Sequence, residues 1–341
     1  MSVVREHVAL KSTLQLPAKA RWYADIRDVA ELAPLLSDPR WRDLPRVVLG
    51  EGSNVVLRAD LSALVLRPVM QGMRVIRWQG SRALVECQAG ESWDALVQWS
   101  IDQGLAGLEN LSLIPGSVGA APFQNIGAYG VELADVLDSL DACSLLDGRI
   151  RQFSVSDCCF AYRDSFFKSI EPGRWLISSV RLWLDRDREP VLGYADLALR
   201  YRALPVEQQN AAGLRNIICA LRRSKLPDPA QLPNAGSFFK NPVVSAQQHA
   251  QLKQAFPNLV SYAQADGCFK LAAGWLIEQA GWKGRREGNV GMHSAQALVL
   301  VNHADATGEE VLDFAGRVRE SVRAMFAVEL EQEPVILPAP E

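Results

Sequence analysis

The 341-residue chain has only four histidines, with no HxxxH or HExxH pair, and none of its six cysteines is spaced as CxxC. Both absences argue against a metal site and leave the cysteines as buried thiols. Charge of one sign is not in excess either. Lys plus Arg is 36 and Asp plus Glu 39, a net charge of −3, so no global field draws the chain to nucleic acid or anionic lipid. An anionic ligand has to be met by a local site. No run approaches the roughly 20 apolar residues that span a bilayer, and the opening MSVVREHVALKSTLQL lacks an apolar core of signal-peptide length. The expectation is a cytoplasmic protein. Internal repeats and low-complexity tracts are missing, and 48% hydrophobic against 22% charged residues excludes disorder and collagen-like repeats. The length allows about two domains at roughly 150 residues each.

What is present reads as mixed strands and helices. To about residue 205 strands dominate: PRVVLGEGSNVVL is two β-branched runs broken by a Gly-rich turn, while MRVIRW, ALVECQ and WLISSVRLWL alternate. In CSLLDGRIRQF, Asp147 and Gly148 sit between two such runs, a hairpin signal. Asp28 with Glu31 caps one helix, and Trp93, Leu96, Val97 and Ile101 form the face of another that ends at Gly104. The last third is more helical. Residues 216–224 read as a helix halted by Pro227, residues 271–280 as one stopped by Gly281, and residues 307–326 as one opened by a Thr307/Glu310 capping box. That helix sets Val311, Phe314, Ala315, Val318, Val322 and Met325 on one face. Residues 186–214 form the boundary region, and two lobes are expected.

Three segments could carry chemistry. GEGSN, residues 50–54, lacks the third glycine at position 55 and the following helix that a dinucleotide fingerprint needs, so it is no Rossmann loop. It is either a tight hairpin turn or a turn that aims backbone N–H groups at a pyrophosphate. LIPGSVGAAPFQNIGAYG, residues 113–130, strings Gly116, Gly119, Gly127 and Gly130 among small residues. That suits either close backbone approach to an anionic ligand or a tightly packed crossover. NAGSFFKNP, residues 234–242, places Ser237, Lys240 and Asn241 around two Phe residues, either as a polar site shielded from water or as a hairpin with its Phe residues in the core. Alone, Tyr162 and Arg163 in AYRDS, and Glu331 and Glu333 near the end, are ordinary.

In this order, GEGSNVVL, GLENLSLIPGSVGAAPFQNIGAYGVEL, YRDS, KLPDP with NAGSFFKNP, KLAAGWLIEQAGWKG and LEQEP, the segments resemble the UDP-N-acetylenolpyruvoylglucosamine reductase (MurB) family of peptidoglycan synthesis over residues 17–337. The longer subclass, with a tyrosine flap, is the match. The resemblance implies an α+β flavoprotein: an FAD-binding fold of the vanillyl-alcohol oxidase type in two subdomains, residues 1–70 and 71–205, the second carrying a flap around 186–205. A C-terminal α+β substrate-binding domain follows, residues 206–328, and residues 329–341 return to the active site.

It also implies non-covalent FAD, NADPH as co-substrate, and reduction of UDP-N-acetylglucosamine enolpyruvate to UDP-N-acetylmuramate by a cytoplasmic monomer that binds neither nucleic acid nor membrane. The FAD candidates are Gly50, Gly52, Ser53, Asn54, Gly116, Ser117, Gly119, Asn125 and Gly127. Hydride goes from NADPH to flavin and then to the vinyl carbon, and charge gathers on the α-carbon and its carboxylate. Arg163 and Glu333 match the pair that stabilises this charge, the Glu protonated or acting through an intervening donor. Ser237 matches the donor of the α-carbon proton. Tyr162, Tyr194 of the flap, Lys225 and Asn241 match substrate-side positions. Choosing Glu333 over Glu331 rests on spacing to the chain end. Cys158 and Cys159, just before AYRDS, are read as packing. Two rivals are a flavin-tethering oxidase, for which His7 is the only first-domain histidine, and a silent UDP-sugar sensor, which would lack Ser237, Arg163 or Glu333.

Overall fold

The computed structural model describes residues 3–339. The chain divides into two compact units, and neither is a continuous stretch. Unit 1 comprises Met1–Val8, Ala20–Glu51 and Leu61–Ser224; unit 2 comprises Ala9–Lys19, Gly52–Asp60 and Lys225–Glu341.

Unit 1 is built on two sheets. In the four-stranded sheet, Leu61–Pro68 pairs in parallel with Lys19–Ile26 on one side and with Arg46–Val48 on the other, and Arg5–Ala9 lies at the edge. Helix α1 (Leu32–Ser37) buries Leu32, Leu35 and Leu36 against Ala24, Ile26, Leu64 and Leu66. A single 3-10 turn, Val29–Glu31, leads into it, capped by the Asp28 side chain, which accepts the N–H of Ala30, while the Glu31 carboxylate accepts the N–H of Arg27. The five-stranded sheet is antiparallel, with Trp175–Asp185 at its centre between Leu137–Ser144 and Arg82–Gln88. Period-two alternation sends Val180, Leu182 and Leu184 into the core. It sends Arg181 to the other face, where the guanidinium pairs with both Glu86 and Asp141. Helix α2 (Trp93–Asp102) lays Trp93, Leu96 and Val97 on the inner face.

Helices α3 (Ala195–Arg202) and α4 (Ala211–Lys225) follow this sheet. They close over a cluster of Leu197, Tyr201, Leu214, Ile218 and Leu221, against which Tyr129 packs. Residues 186–214, expected as the boundary region, thus hold all of α3 and the first turn of α4, and α4 starts five residues earlier than the apolar spacing from Asn216 suggested.

Unit 2 has a four-stranded sheet in the order Asn234–Ser237, Val299–Asn302, Val290–Met292, Arg286–Glu287, and a three-stranded sheet centred on Phe269–Leu271. Helices α5 (Ala246–Ala255), α6 (Ala273–Gln279) and α7 (Gly308–Phe326) complete it. The Thr307/Glu310 capping box opens α7, whose buried face holds Val311, Phe314, Ala315, Val318, Val322 and Phe326. Met325, placed on that face by the spacing, is instead 48% exposed, because the buried stripe continues from Val322 through Phe326, four residues on.

The two strands flanking GEGSN do not form a hairpin. Arg46–Val48 joins the first sheet of unit 1, whereas Val55–Leu57 pairs in parallel with Val335–Leu337 in unit 2. Among the described residues no helix is long and apolar enough to cross a membrane, and no group of three or more His, Cys, Asp or Glu is placed to hold a metal ion.

Candidate active site

The two glycine segments meet within unit 1. A Cβ on Gly50 would lie 2.8 Å from Ser117 Oγ, so the first turn and residues 116–119 approach as closely as a glycine permits. The second segment is fixed by its own backbone. Gly116 C=O accepts the N–H of Trp93 at the start of α2, Val118 N–H donates to Glu91, and Gly119 N–H donates to Ala89. With those amides holding the loop in place, the small residues and the Ser117 hydroxyl at this junction allow the close backbone approach that an extended anionic group such as a pyrophosphate requires. The residues present therefore fit FAD. Asn125 differs from the other candidates. It is 1% exposed with a left-handed φ of 44°, and its amide bonds Glu132, Ala161 and the N–H of Ala134, so it shapes the loop from within.

Arg163 belongs to the same unit. Its Nη2 donates to the carbonyl of Gly127 at 2.7 Å, and its guanidinium lies over the Tyr162 ring at 5.4 Å. A Cβ on Gly127 would stand 2.9 Å from Glu132 Cγ and 3.1 Å from both Arg163 Nη1 and Val131 O, so a side chain there would crowd the guanidinium. The glycine is what lets the guanidinium reach the loop.

A second arginine in this region carried no sequence signal. Arg222 of α4 donates to the carbonyl of Leu113, the first residue of the long glycine segment, and burial pushes its pKa down. Arg163 adds to that depression, so two like charges share this region. Two helical turns earlier, Arg215 forks onto Asp94 of α2 at 2.7 and 2.9 Å, and Asp94 also accepts the N–H of Leu113. Apolar periodicity marks only the Leu214, Ile218, Leu221 face of α4 and is silent on this one.

Tyr194 sits at the N-cap of α3, 52% exposed, with its ring edge-on to Tyr129 at 5.6 Å. Cys158 is buried and its thiol is pushed up to about 12 by burial; Cys159 is exposed, which the packing reading had not anticipated.

Ser237 and Glu333 lie in unit 2. Ser237 ends the strand Asn234–Ser237, held by Asn234, whose amide bonds the carbonyls of Pro227 and Leu232 and accepts the N–H of Gly236. Phe238 and Phe239 are fully buried, edge-on to each other at 5.2 Å, so they belong to the core. The next turn pairs with the chain's end: Glu333 N–H donates to Phe238 O at 2.9 Å, Phe239 bridges Gln332, and Lys240 N–H donates to Glu331 O at 2.8 Å. Lys240 Nζ also pairs with Glu331. The two glutamates differ in setting: Glu331 is 70% exposed and engaged by Lys240, while the backbone of Glu333 bonds Phe238, the residue after Ser237. Asn241 accepts the N–H of Ala273 at the start of α6, and Lys225, exposed, ends α4.

Gly52, Ser53 and Asn54 also fall in unit 2. Gly52 has φ 68°, and a Cβ would come 2.3 Å from Lys11 O, which only glycine avoids. Asn54 O accepts the N–H of Val335, and its Nδ2 reaches Glu333 O at 3.5 Å. One of the cofactor candidates is thus bonded to the segment that carries Glu333.

Comparison with known proteins gives a consistent result. Residues 228–337 match the family model described as UDP-N-acetylenolpyruvoylglucosamine reductase, C-terminal domain, and residues 21–154 match an FAD binding domain. The UDP-N-acetylenolpyruvoylglucosamine reductase of Pseudomonas aeruginosa is 54% identical over 97% of this chain and 98% of its own. Proteins of that name from an Azoarcus species and Burkholderia cenocepacia are 49% and 47% identical, over 96% and 99% of this chain and 95% and 97% of theirs. The solved reductase from Thermus caldophilus superposes with TM-score 0.69 at 24% identity, covering 99% of this chain and all of that one. A solvent-stable cholesterol oxidase superposes with TM-score 0.50 at 12% identity over 97% of this chain and 87% of its own, a likeness of fold alone.

Proposed function

The chain belongs to the UDP-N-acetylenolpyruvoylglucosamine reductase family, and from that premise we propose which of its side chains carry the reaction. The protein is an FAD-dependent oxidoreductase of peptidoglycan precursor synthesis, reducing UDP-N-acetylglucosamine enolpyruvate to UDP-N-acetylmuramate. Its fold is α+β, an FAD-binding fold followed by the family's C-terminal domain. We take NADPH as the hydride donor. Bound FAD supplies the hydride relay between that donor and the vinyl carbon of the substrate. The small-residue junction of Gly50 with Gly116, Ser117 and Gly119, together with Gly52, Ser53 and Asn54, would hold its pyrophosphate and ribityl chain.

The chain's own residues then manage charge and one proton. Hydride arrival at the vinyl carbon leaves negative charge on the α-carbon and its carboxylate. Arg163, oriented by Gly127 O, presents a fixed guanidinium to that charge, and the nearby Arg222 strengthens the positive field. Glu333 contributes a hydrogen bond to the same charge, as the acid or through an intervening donor. Ser237 Oγ delivers the proton to the α-carbon. A hydroxyl is a weak acid, but a strongly basic carbon needs only a well-placed donor. Tyr162, Tyr194, Lys225 and Asn241 are assigned to the UDP-sugar side. We take the protein to act as a monomer in the bacterial cytoplasm on a small UDP-sugar; a net charge of −3 supplies no global field toward nucleic acid.

The observation that supports this assignment is the hydrogen bond from Glu333 N–H to Phe238 O, which ties the segment carrying Glu333 to the residue that follows Ser237. Ser237→Ala is expected to leave reduction of the flavin by NADPH within about twofold of wild type. It should slow flavin reoxidation by the enolpyruvyl substrate by about 10²- to 10⁴-fold, the usual contribution of a positioned proton donor. Reoxidation at the wild-type rate would assign the proton to another group.

A further inference from the structure

Lys240 is not among the groups assigned to FAD, substrate or proton transfer, yet its environment is unusual for a lysine. Its side chain is only 13% exposed, and its ammonium meets a carboxylate, Glu331, that is itself 70% exposed. A covered ammonium needs a partner in place of water, and Glu331, reaching back from solvent, supplies it. The pair stands directly opposite across the short antiparallel contact in which Phe239 faces Gln332 and Phe238 faces Glu333.

That contact is a single bridge held by two backbone bonds, Glu333 N–H to Phe238 O and Lys240 N–H to Glu331 O. The sequence on one side reads Glu331, Gln332, Glu333, so the register decides which group is offered beside Ser237. A slip of one residue would set the carboxamide of Gln332 where the carboxylate of Glu333 stands. A slip of two would bring Lys240 against Glu333 itself and remove the bond from Val335 N–H to Asn54 O. Only the observed register pairs Lys240 with Glu331 and keeps Glu333 clear of the ammonium.

We propose that Lys240 is a positioning residue for this reaction, and that its ion pair with Glu331 fixes the register in which Glu333 is presented next to Ser237. The proposal rests on the assignment of Ser237 and Glu333 above. It concerns the half-reaction that consumes the enolpyruvyl substrate, since reduction of the flavin by NADPH needs neither residue.

The test uses full-length, FAD-loaded protein in anaerobic stopped flow, with NADPH and UDP-N-acetylglucosamine enolpyruvate added separately. Lys240→Met and Glu331→Gln should each slow reoxidation by about tenfold to a hundredfold, the scale set by a small misplacement of a catalytic group. The effect should fall on kcat, with KM for the enolpyruvyl substrate within about threefold, and FAD content, visible spectrum and NADPH reduction should match wild type. The double variant should be no slower than either single one, and the charge swap Lys240→Glu with Glu331→Lys should recover most of the rate. Wild-type reoxidation in Lys240→Met would overturn the proposal. So would a parallel loss of FAD content, melting temperature and both half-reactions, or a swap that rescues nothing, since each marks a merely structural pair. Ser237→Ala and Glu333→Gln run alongside; if these reoxidise normally, it is the underlying assignment that fails.

Discussion

At Asp94 two requirements converge on one carboxylate. It accepts the Arg215 fork and the N–H of Leu113, a residue held at a left-handed φ of 57° where the long glycine segment begins. Burial alone would raise its pKa, but the Arg215 guanidinium and the Leu113 N–H outweigh it and hold the carboxyl below its ordinary 3.8. The unfolded chain then binds this proton more readily than the native one. The stabilisation is fully present above pH about 4 and is lost as pH falls toward the lower native value. Asp94→Asn should cost about 1–2 kcal/mol at pH 7, a fall of roughly 2–6 °C in melting temperature, with the gap to wild type closing below pH about 4. A thermal melt series from pH 3 to 8 checks this, and a constant gap would show that charge is not the source. None of these partners was legible in the sequence, because Asp94 and Arg215 are far apart in the chain and each is ordinary on its own helix. Arg163, Ser237 and Glu333 were nameable only because their motifs occur in a known order.

Among the elements, those that encode themselves locally were readable. Helix α7 has a reciprocal cap at Thr307 and Glu310 and an apolar face at helical spacing, so its start and its buried side follow from adjacent residues. Thr307→Ala removes the hydroxyl that accepts Glu310 N–H and should lower stability by about 1 kcal/mol, or roughly 2–4 °C in calorimetry. An unchanged melt would mean that packing alone fixes the helix end. The strands on either side of GEGSN were misleading for the opposite reason. Their β-branched composition is right, but the partner of Val55–Leu57 is Val335–Leu337, and no local pattern reports a partner at the far end of the chain. Of the two readings that NAGSFFKNP allowed, the structure shows the one with its Phe pair in the core, while Lys240 and Asn241 tie down neighbouring segments.

On the scale of the whole molecule, unit 2 draws on three separated stretches, so cutting the sequence into consecutive domains cannot reproduce it. Thr13 O accepts the N–H of Asn234, Asn302 Nδ2 donates to Leu14 O, and Val55–Leu57 completes the parallel pair with Val335–Leu337. A fragment beginning at residue 225 lacks all three and should show no cooperative melt by circular dichroism, whereas a cooperative transition would establish that the C-terminal stretch folds alone.

The central claim is that this chain runs two coupled half-reactions through FAD, and one anaerobic experiment addresses it. NADPH is added to the purified protein until the visible flavin band bleaches, and UDP-N-acetylglucosamine enolpyruvate is then supplied without oxygen. Return of the oxidised band, with UDP-N-acetylmuramate formed in equal amount, is the predicted result. A band that stays bleached, or a protein that takes up no flavin, would contradict it.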